Sequence, residues 1–159
     1  MTDSTEITPA STDHADAVAD LWVDLAVDQR RYGSRLKGTQ NRAAIREAIV
    51  QRIVTDDLLL ARLDGDVVGF VMFTIERGRY EQDGTTGVVE NLYVAPDARR
   101  RGVGSALLTN AEERLDDAGA TVISIEAMAG NDAARAFYAS HGYVSHRVEL
   151  TKPTENDTA

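Results

Sequence analysis

Cysteine is absent from the 159-residue chain, which excludes disulfides, thiolate zinc sites and a cysteine acyl-enzyme. Lysine is nearly absent too, occurring only as Lys37 and Lys152. His14, His141 and His146 lack metal-ligand spacing and have no acidic cluster beside them, so no metal site is expected. No apolar run approaches the ~20 residues of a membrane-spanning helix. Residues 1–10 carry neither positive charge nor an apolar stretch, which argues against a secretory signal. A cytoplasmic location without membrane association is the expectation.

Positive charge is also in deficit, 17 Lys and Arg against 26 Asp and Glu, for a formal net charge of −9. General nucleic-acid binding requires a basic face to neutralise phosphates, so that class is disfavoured. The acidity has a texture, because Asp outnumbers Glu and Arg far outnumbers Lys. Such a surface fits adaptation to brine, and it equally fits the Ala, Arg and Asp bias of a GC-rich genome.

What remains is a globular composition, 43% hydrophobic and 27% charged, of a length suited to one domain spanning residues 1–159. A short strand is expected at 6–8, followed by a helix at 14–31 capped by Thr12 or Asp13, with Val18, Leu21, Trp22 and Leu25 at helical spacing. A second helix follows at 41–54. The period then changes to that of strands at 58–63 and 67–75, joined at Asp64-Gly65. A loop at 77–87 leads to a strand at 88–94 and a helix at 102–118, which Gly119 is placed to terminate. A strand at 122–127, a helix at 131–141 and a last strand at 143–150 complete a core of about 6–150. Residues 151–159 read as a polar tail. The order predicts an α+β fold around one mixed sheet.

The chemistry concentrates where the strand ending Leu92-Tyr93-Val94-Ala95-Pro96 runs into Arg99-Arg100-Arg101-Gly102-Val103-Gly104. Glycine lets backbone approach a bulky anion. The first amides of a helix lack internal partners and, with the helix dipole, can cradle a pyrophosphate. Taken alone, this loop reads as readily as a device for close packing, and the arginines as a solvated run. Its spacing matches neither a P-loop nor a dinucleotide fingerprint.

Two motifs decide between these readings. The first is Leu92-Tyr93-Val94-x-Pro96 followed by Arg99-x-x-Gly102-x-Gly104. The second is Asn131, Ala134, Tyr138, Gly142 and Tyr143 in the pattern N-x-x-A-x-x-x-Y-x-x-x-G-Y. In both the chain resembles the GNAT N-acetyltransferase superfamily, over about residues 6–150. The resemblance implies the acyl-CoA N-acyltransferase fold, with a mostly antiparallel mixed sheet splayed at the acetyl-CoA cleft and about four flanking helices. It implies transfer of acetyl from acetyl-CoA to an amine acceptor. Backbone around Leu92, Tyr93 and Val94 would pair with the pantetheine arm. Amides from Arg100 to Ser105, Val103 included, would hold the pyrophosphate, with Arg99, Arg100 and Arg101 beside them. Asn131 would contact pantetheine or cap the next helix.

Tyr138 matches the family's proton donor. A phenol with a reference pKa of about 10 is protonated at neutral pH and can donate to the departing thiolate. For the base there are two candidate carboxylates, both odd in a strand interior. Glu90 is preferred. Glu126, five residues before Asn131, is the alternative, where ribosomal-protein N-terminal acetyltransferases place theirs. Without cysteine, direct attack in a ternary complex is expected, with the Val94 amide facing the oxyanion. A non-catalytic acyl-CoA sensor is the competing reading, and retention of Tyr138 speaks against it. The acceptor wall is expected at 22–54 and 78–86, with Trp22, Tyr32 and Tyr80 as lining candidates. The sequence leaves open whether the protein is a monomer or a homodimer.

The two explanations of the acidity differ in solution. If the surface is a brine adaptation, carboxylate repulsion destabilises the fold at low salt and screening relieves it. Melting temperature then rises steadily from dilute to molar potassium chloride. A flat profile assigns the bias to genome composition.

Overall fold

The computed structural model describes residues 5–77 and 80–154. Along the chain run β1 (Thr5–Pro9), α1 (Ala15–Gln29), α2 (Arg42–Val54), β2 (Leu58–Leu63), β3 (Asp66–Ile75), β4 (Thr86–Val94), α3 (Val103–Asp117), β5 (Val122–Ile125) and α4 (Asp132–Ser140). The strands form one sheet in the order β1-β2-β3-β4-β5. The first three pairings are antiparallel and β4–β5 is parallel. This is the mixed, mostly antiparallel α+β arrangement that the pattern of periods predicts.

Alternation along the strands builds two cores, one on each face. Leu58, Leu60, Phe70, Met72 and Tyr93 face α1 and α2, where they meet Val18, Trp22 and Ile49. Leu59, Ala61, Val71, Phe73 and Val89 face α3, against Val103, Leu107, Leu108, Ala111 and Leu115. β2 reads as an unbroken apolar run because its residues are buried on both faces. Gly69 lies where β3 crosses beneath α3. A Cβ there would stand 2.7 Å from the Tyr93 carbonyl oxygen, so only glycine fits.

Two expectations need correction. The cap at the first helix is neither Thr12 nor Asp13. His14 stands at the N-cap of α1, and Ser11 caps a short 3-10 turn over Thr12–His14 that precedes it. His14 Nδ1 accepts from the Ser11 N–H at 3.1 Å, a reach-back from the third residue that favours the earlier start. The second correction is larger. The expected strand at 143–150 does not form, and residues 144–154 belong to no helix or strand. Period-two alternation is necessary for a half-buried strand but not sufficient, because a strand exists only through hydrogen bonds to a neighbour.

Two positions shape the sheet near its β4 end. The β3–β4 register passes from Met72↔Asn91 to Phe73↔Val89, so Glu90 is the extra residue of a bulge. Beyond it, β5 pairs with β4 only from Thr86↔Val122 to Val89↔Ile125.

Leu107 is fully buried between α3 and the sheet. Leu107→Ala is expected to lower the unfolding free energy by about 2–5 kcal/mol, the usual cost of such a cavity. Urea denaturation measures it.

Candidate active site at the parting of β4 and β5

β4 and β5 separate after Val89 and Ile125. The Ala95 N–H bonds the Val68 carbonyl at 2.8 Å. Bonded residues alternate along an antiparallel pair, so Tyr93 also bonds β3. The backbone groups of Leu92 and Val94 face the other way, where β5 no longer reaches. Of the three residues expected to meet pantetheine, Leu92 and Val94 therefore present open backbone. Tyr93 instead buries its ring on the α1 side, and that burial raises its phenol pKa, with Arg99 opposing the shift. The Val94 carbonyl is already engaged, accepting from Arg99 Nε at 2.8 Å. Arg99 also lies over the Tyr93 ring at 5.4 Å, so it fastens the base of the loop.

The loop that follows has an anion-binding geometry. Arg100 (φ +65°) and Gly102 (φ +79°) are both left-handed and flank Arg101, a turn that gathers successive N–H groups. Gly102 is the N-cap of α3, so the amides of Val103, Gly104 and Ser105 have no acceptor within the helix. Val103 buries its side chain in the core while its amide joins this set. A Cβ on Gly104 would lie 3.4 Å from Phe137 and 3.8 Å from Val94, so α3, α4 and β4 converge at this residue.

Helix α4 supplies the second motif. Asn131 is buried, and its Oδ1 accepts from the Ala134 N–H at 3.1 Å, the capping role allowed for it. At the other end Gly142 (φ +92°) reverses the chain. The Tyr143 N–H bonds the Tyr138 carbonyl at 3.1 Å, a Schellman closure. The two tyrosine rings meet edge to face at 6.1 Å, and the Tyr143 hydroxyl donates to Glu112 of α3 at 2.7 Å. Tyr138 is thus gripped through its neighbour. Burial pushes its pKa above the usual tyrosine value, so the phenol stays protonated.

The two candidate carboxylates are brought together. Glu90 and Glu126 are each the first residue beyond the last paired position, Val89↔Ile125. Their surroundings differ. Arg52 of α2 holds Glu90 through two hydrogen bonds, Nε to Oε1 at 2.8 Å and Nη2 to Oε2 at 3.1 Å, and this pairing raises the Arg52 pKa. Glu126 is exposed at the end of β5.

Of the expected acceptor wall, Trp22 is a core residue on the sheet-facing side of α1. Tyr32 is half-buried beneath Arg31, and Tyr80 is exposed. Gly78 and Arg79 lie outside the described residues. A cavity of about 460 Å³ opens between α1 and the end of β4, lined in part by Asp24, Asp28, Arg31, Tyr93 and Arg99. Its two carboxylates and two guanidinium groups offset one another, so charge alone gives it no preference. Three further residues make contacts that the sequence did not signal. Arg52 clamps Glu90 across 38 positions, and no local pattern signals such a pair. His141 meets Ser105 at 3.0 Å (Nε2 to Oγ). Tyr143 lay within the quoted motif, but its hold on Glu112 is tertiary.

The model of the acetyltransferase (GNAT) family matches residues 22–143. The chain belongs to this family. Solved structures agree over nearly the whole length. A GCN5-related N-acetyltransferase from Ralstonia eutropha JMP134 superposes with a TM-score of 0.75 at 22% identity, covering 95% of this chain and 99% of that one. An aminoglycoside N-acetyltransferase in complex with CoA gives 0.71 at 16%, covering 98% and 97%. An aminoglycoside acetyltransferase from an uncultured soil metagenomic sample gives 0.66 at 22%, covering 96% and 99%. These likenesses establish a shared fold. The protein is a GNAT acetyltransferase, and among its described residues no helix is long and apolar enough to cross a membrane.

The donor set fits CoA, since anion-facing amides at α3 adjoin an open strand edge at Leu92 and Val94. Gly104 is outside the left-handed region, so Gly104→Val tests ligand approach without backbone strain. Hydrogen bonds to a charged group are worth about 1.5–3 kcal/mol, and about 1.4 kcal/mol is tenfold in affinity. Titration calorimetry is expected to show CoA binding weakened about tenfold or more, with little change in melting temperature. Unchanged affinity would place the pyrophosphate elsewhere.

Proposed function

We propose that the protein transfers the acetyl group of acetyl-CoA to a primary amine by direct attack in a ternary complex. Tyr138 is the proton donor and Glu126 the proton acceptor in this reading. The observation that carries it is the parting of β4 and β5, with open backbone at Leu92 and Val94 and a carboxylate on each strand at the point of separation. Acetyl-CoA supplies an activated thioester whose leaving group is a thiolate.

The chain's own residues do the rest. The amides of Val103, Gly104 and Ser105, with the backbone of the Arg100–Arg101 turn, bind the pyrophosphate. The Leu92 backbone and the Val94 N–H take the pantetheine arm in place of the missing strand pairing. The Val94 N–H also faces the reacting carbonyl oxygen. Tyr138, kept protonated by burial and held by Tyr143, delivers its proton to the leaving sulfur.

The sequence favours Glu90 as base, and the Arg52 clamp reverses that order. Both Glu90 oxygens accept from the Arg52 guanidinium, so neither is left open to an incoming amine. Glu126 has its oxygens available to an incoming ammonium group or to a bridging water. Glu90 then serves to anchor the bulge to α2.

Substitution separates these roles. Tyr138→Phe is expected to leave acetyl-CoA affinity nearly unchanged and to lower turnover by ~10²–10⁴-fold, as for a lost general acid. A sensor would show no turnover to lose, and a merely structural tyrosine would lower melting temperature without changing the rate per folded molecule. Glu126→Gln lowers turnover at neutral pH, with recovery as rising pH supplies free-base amine, whereas Glu90→Gln retains most activity. Thiol release across a panel of amines measures all three variants. Unimpaired turnover in a folded Tyr138→Phe protein would end the assignment.

A further inference from the structure

The end of α4 rests on the first turn of α3, and the contact is polar as well as apolar. Phe137 and His141, four residues apart, lie on one face of α4, and their rings meet at 4.8 Å. Phe137 covers Gly104, where an added Cβ would stand 3.4 Å from its ring. One residue along α3, the Ser105 Oγ lies 3.0 Å from His141 Nε2. Both residues are half-buried. Among the described residues this is the one hydrogen bond of the Ser105 hydroxyl. Packing on Phe137 asks only for an apolar or aromatic side chain at position 141. The imidazole adds a polar atom directed at a single oxygen, and that oxygen belongs to a residue whose amide faces the anion.

The donor and acceptor capacities of the pair decide what it does. A helical serine often gives its hydroxyl proton to a backbone carbonyl one turn back, and Ser105 does not. Ser105 stands third in α3, after Val103 and Gly104, so its hydroxyl and its amide belong to the same turn. A hydroxyl has one proton to donate and lone pairs to accept with. The charged oxygens of a pyrophosphate only accept, so toward an anion held by these amides the hydroxyl must donate. Its oxygen is then left to accept from His141, and Nε2 must carry the imidazole proton. A neutral imidazole can hold its proton on either nitrogen, and this bond selects the Nε2–H form.

We propose that His141 is a positioning residue of the pyrophosphate cradle. Its Nε2–H donates to the Ser105 Oγ and so turns the hydroxyl proton toward the pyrophosphate, which adds a side-chain donor to the amides of α3. The inference rests on the reading of this loop as the CoA cradle. Because His141 ends the helix that carries Tyr138, the same bond ties the cradle to the helix of the proton donor.

Titration calorimetry with CoA tests this on the wild-type chain, Ser105→Ala, His141→Ala and the double variant. Ser105→Ala is expected to weaken CoA binding about tenfold, the scale of one hydrogen bond to a charged group. His141→Ala is expected to weaken it several-fold with little change in melting temperature. The double variant is expected to bind no more weakly than Ser105→Ala alone, since the partners of one hydrogen bond are coupled. His141→Gln, whose amide N–H can donate to the same oxygen, is expected to recover most of the affinity. A merely structural histidine would lower the melting temperature and leave affinity unchanged, which would overturn the proposal. Losses that add in the double variant would overturn it as well, and so would a glutamine that fails to rescue. Gly104→Val separates this role from the cradle itself. If it weakens CoA binding while His141→Ala does not, the cradle stands and the role of His141 falls. If neither weakens binding, both fall.

Discussion

Backbone hydrogen bonding is obligatory wherever water is excluded, and the organisation of this protein follows from one place where it lapses. Over Thr86 to Val89, β4 is paired on both sides. Past Val89 it keeps β3 and loses β5, because the Glu90 bulge bends β4 while β5 ends at Ile125. Groups that a closed sheet would consume are left at Leu92 and Val94. Arg99 takes the Val94 carbonyl and, by doing so, holds the start of the next loop against the strand. The left-handed turn at Arg100 and Gly102 then aims the first amides of α3 at the same opening. A strand edge and a helix N-terminus that would each be ordinary elsewhere become one contiguous set of donors.

Helix α4 completes the site through its caps together with its packing on the α3-side core. None of its residues is fully buried; Asn131 and the Gly142–Tyr143 closure fix its ends, and Phe137 and Tyr138 pack it on the α3-side core. The closure does two things at once. It satisfies the Tyr138 carbonyl and packs the Tyr143 ring on the Tyr138 ring, while the Glu112 bond ties the unit to α3. Tyr138 thereby has a fixed ring and a phenol that burial keeps protonated. The two carboxylates at the strand parting differ for an equally local reason. The Arg52–Glu90 pair is partly exposed, so as a stabilising contact it is worth about 1 kcal/mol or less. Its weight lies in occupying both oxygens of Glu90, whereas Glu126 lies exposed at the end of β5.

Much of this was legible in the sequence, where the determinants are local. Helical spacing of Val18, Leu21, Trp22 and Leu25 is a property of one segment. So are the Asp64-Gly65 turn, Gly119 at the end of α3, and Gly102 before α3, whose positive φ suits a residue without a Cβ. The two spaced motifs were readable for the same reason, since each lies within a single strand–loop–helix or helix–turn unit. From these the family and the fold could be named. Neither Thr12 nor Asp13 caps the first helix because both lie inside a 3-10 turn that Ser11 caps, which leaves His14 at the N-cap of α1.

What tertiary structure alone decided was pairing. Residues 143–150 have the alternation of a strand, but alternation specifies a face and not a neighbour, and no edge among the described residues takes them up. Trp22 looked free to line a pocket, and only the packing of α1 on the sheet made it core. Glu90 was the more suspicious carboxylate by its apolar surroundings in sequence, until Arg52, far along the chain, was folded onto it. The sequence by itself determined which segments could be helix or strand and which atoms could do chemistry, because bond geometry and side-chain polarity act over a few residues. Which of those atoms remain available was settled by contacts between distant segments, since a hydrogen-bonding group is free or committed only once every neighbour is in place.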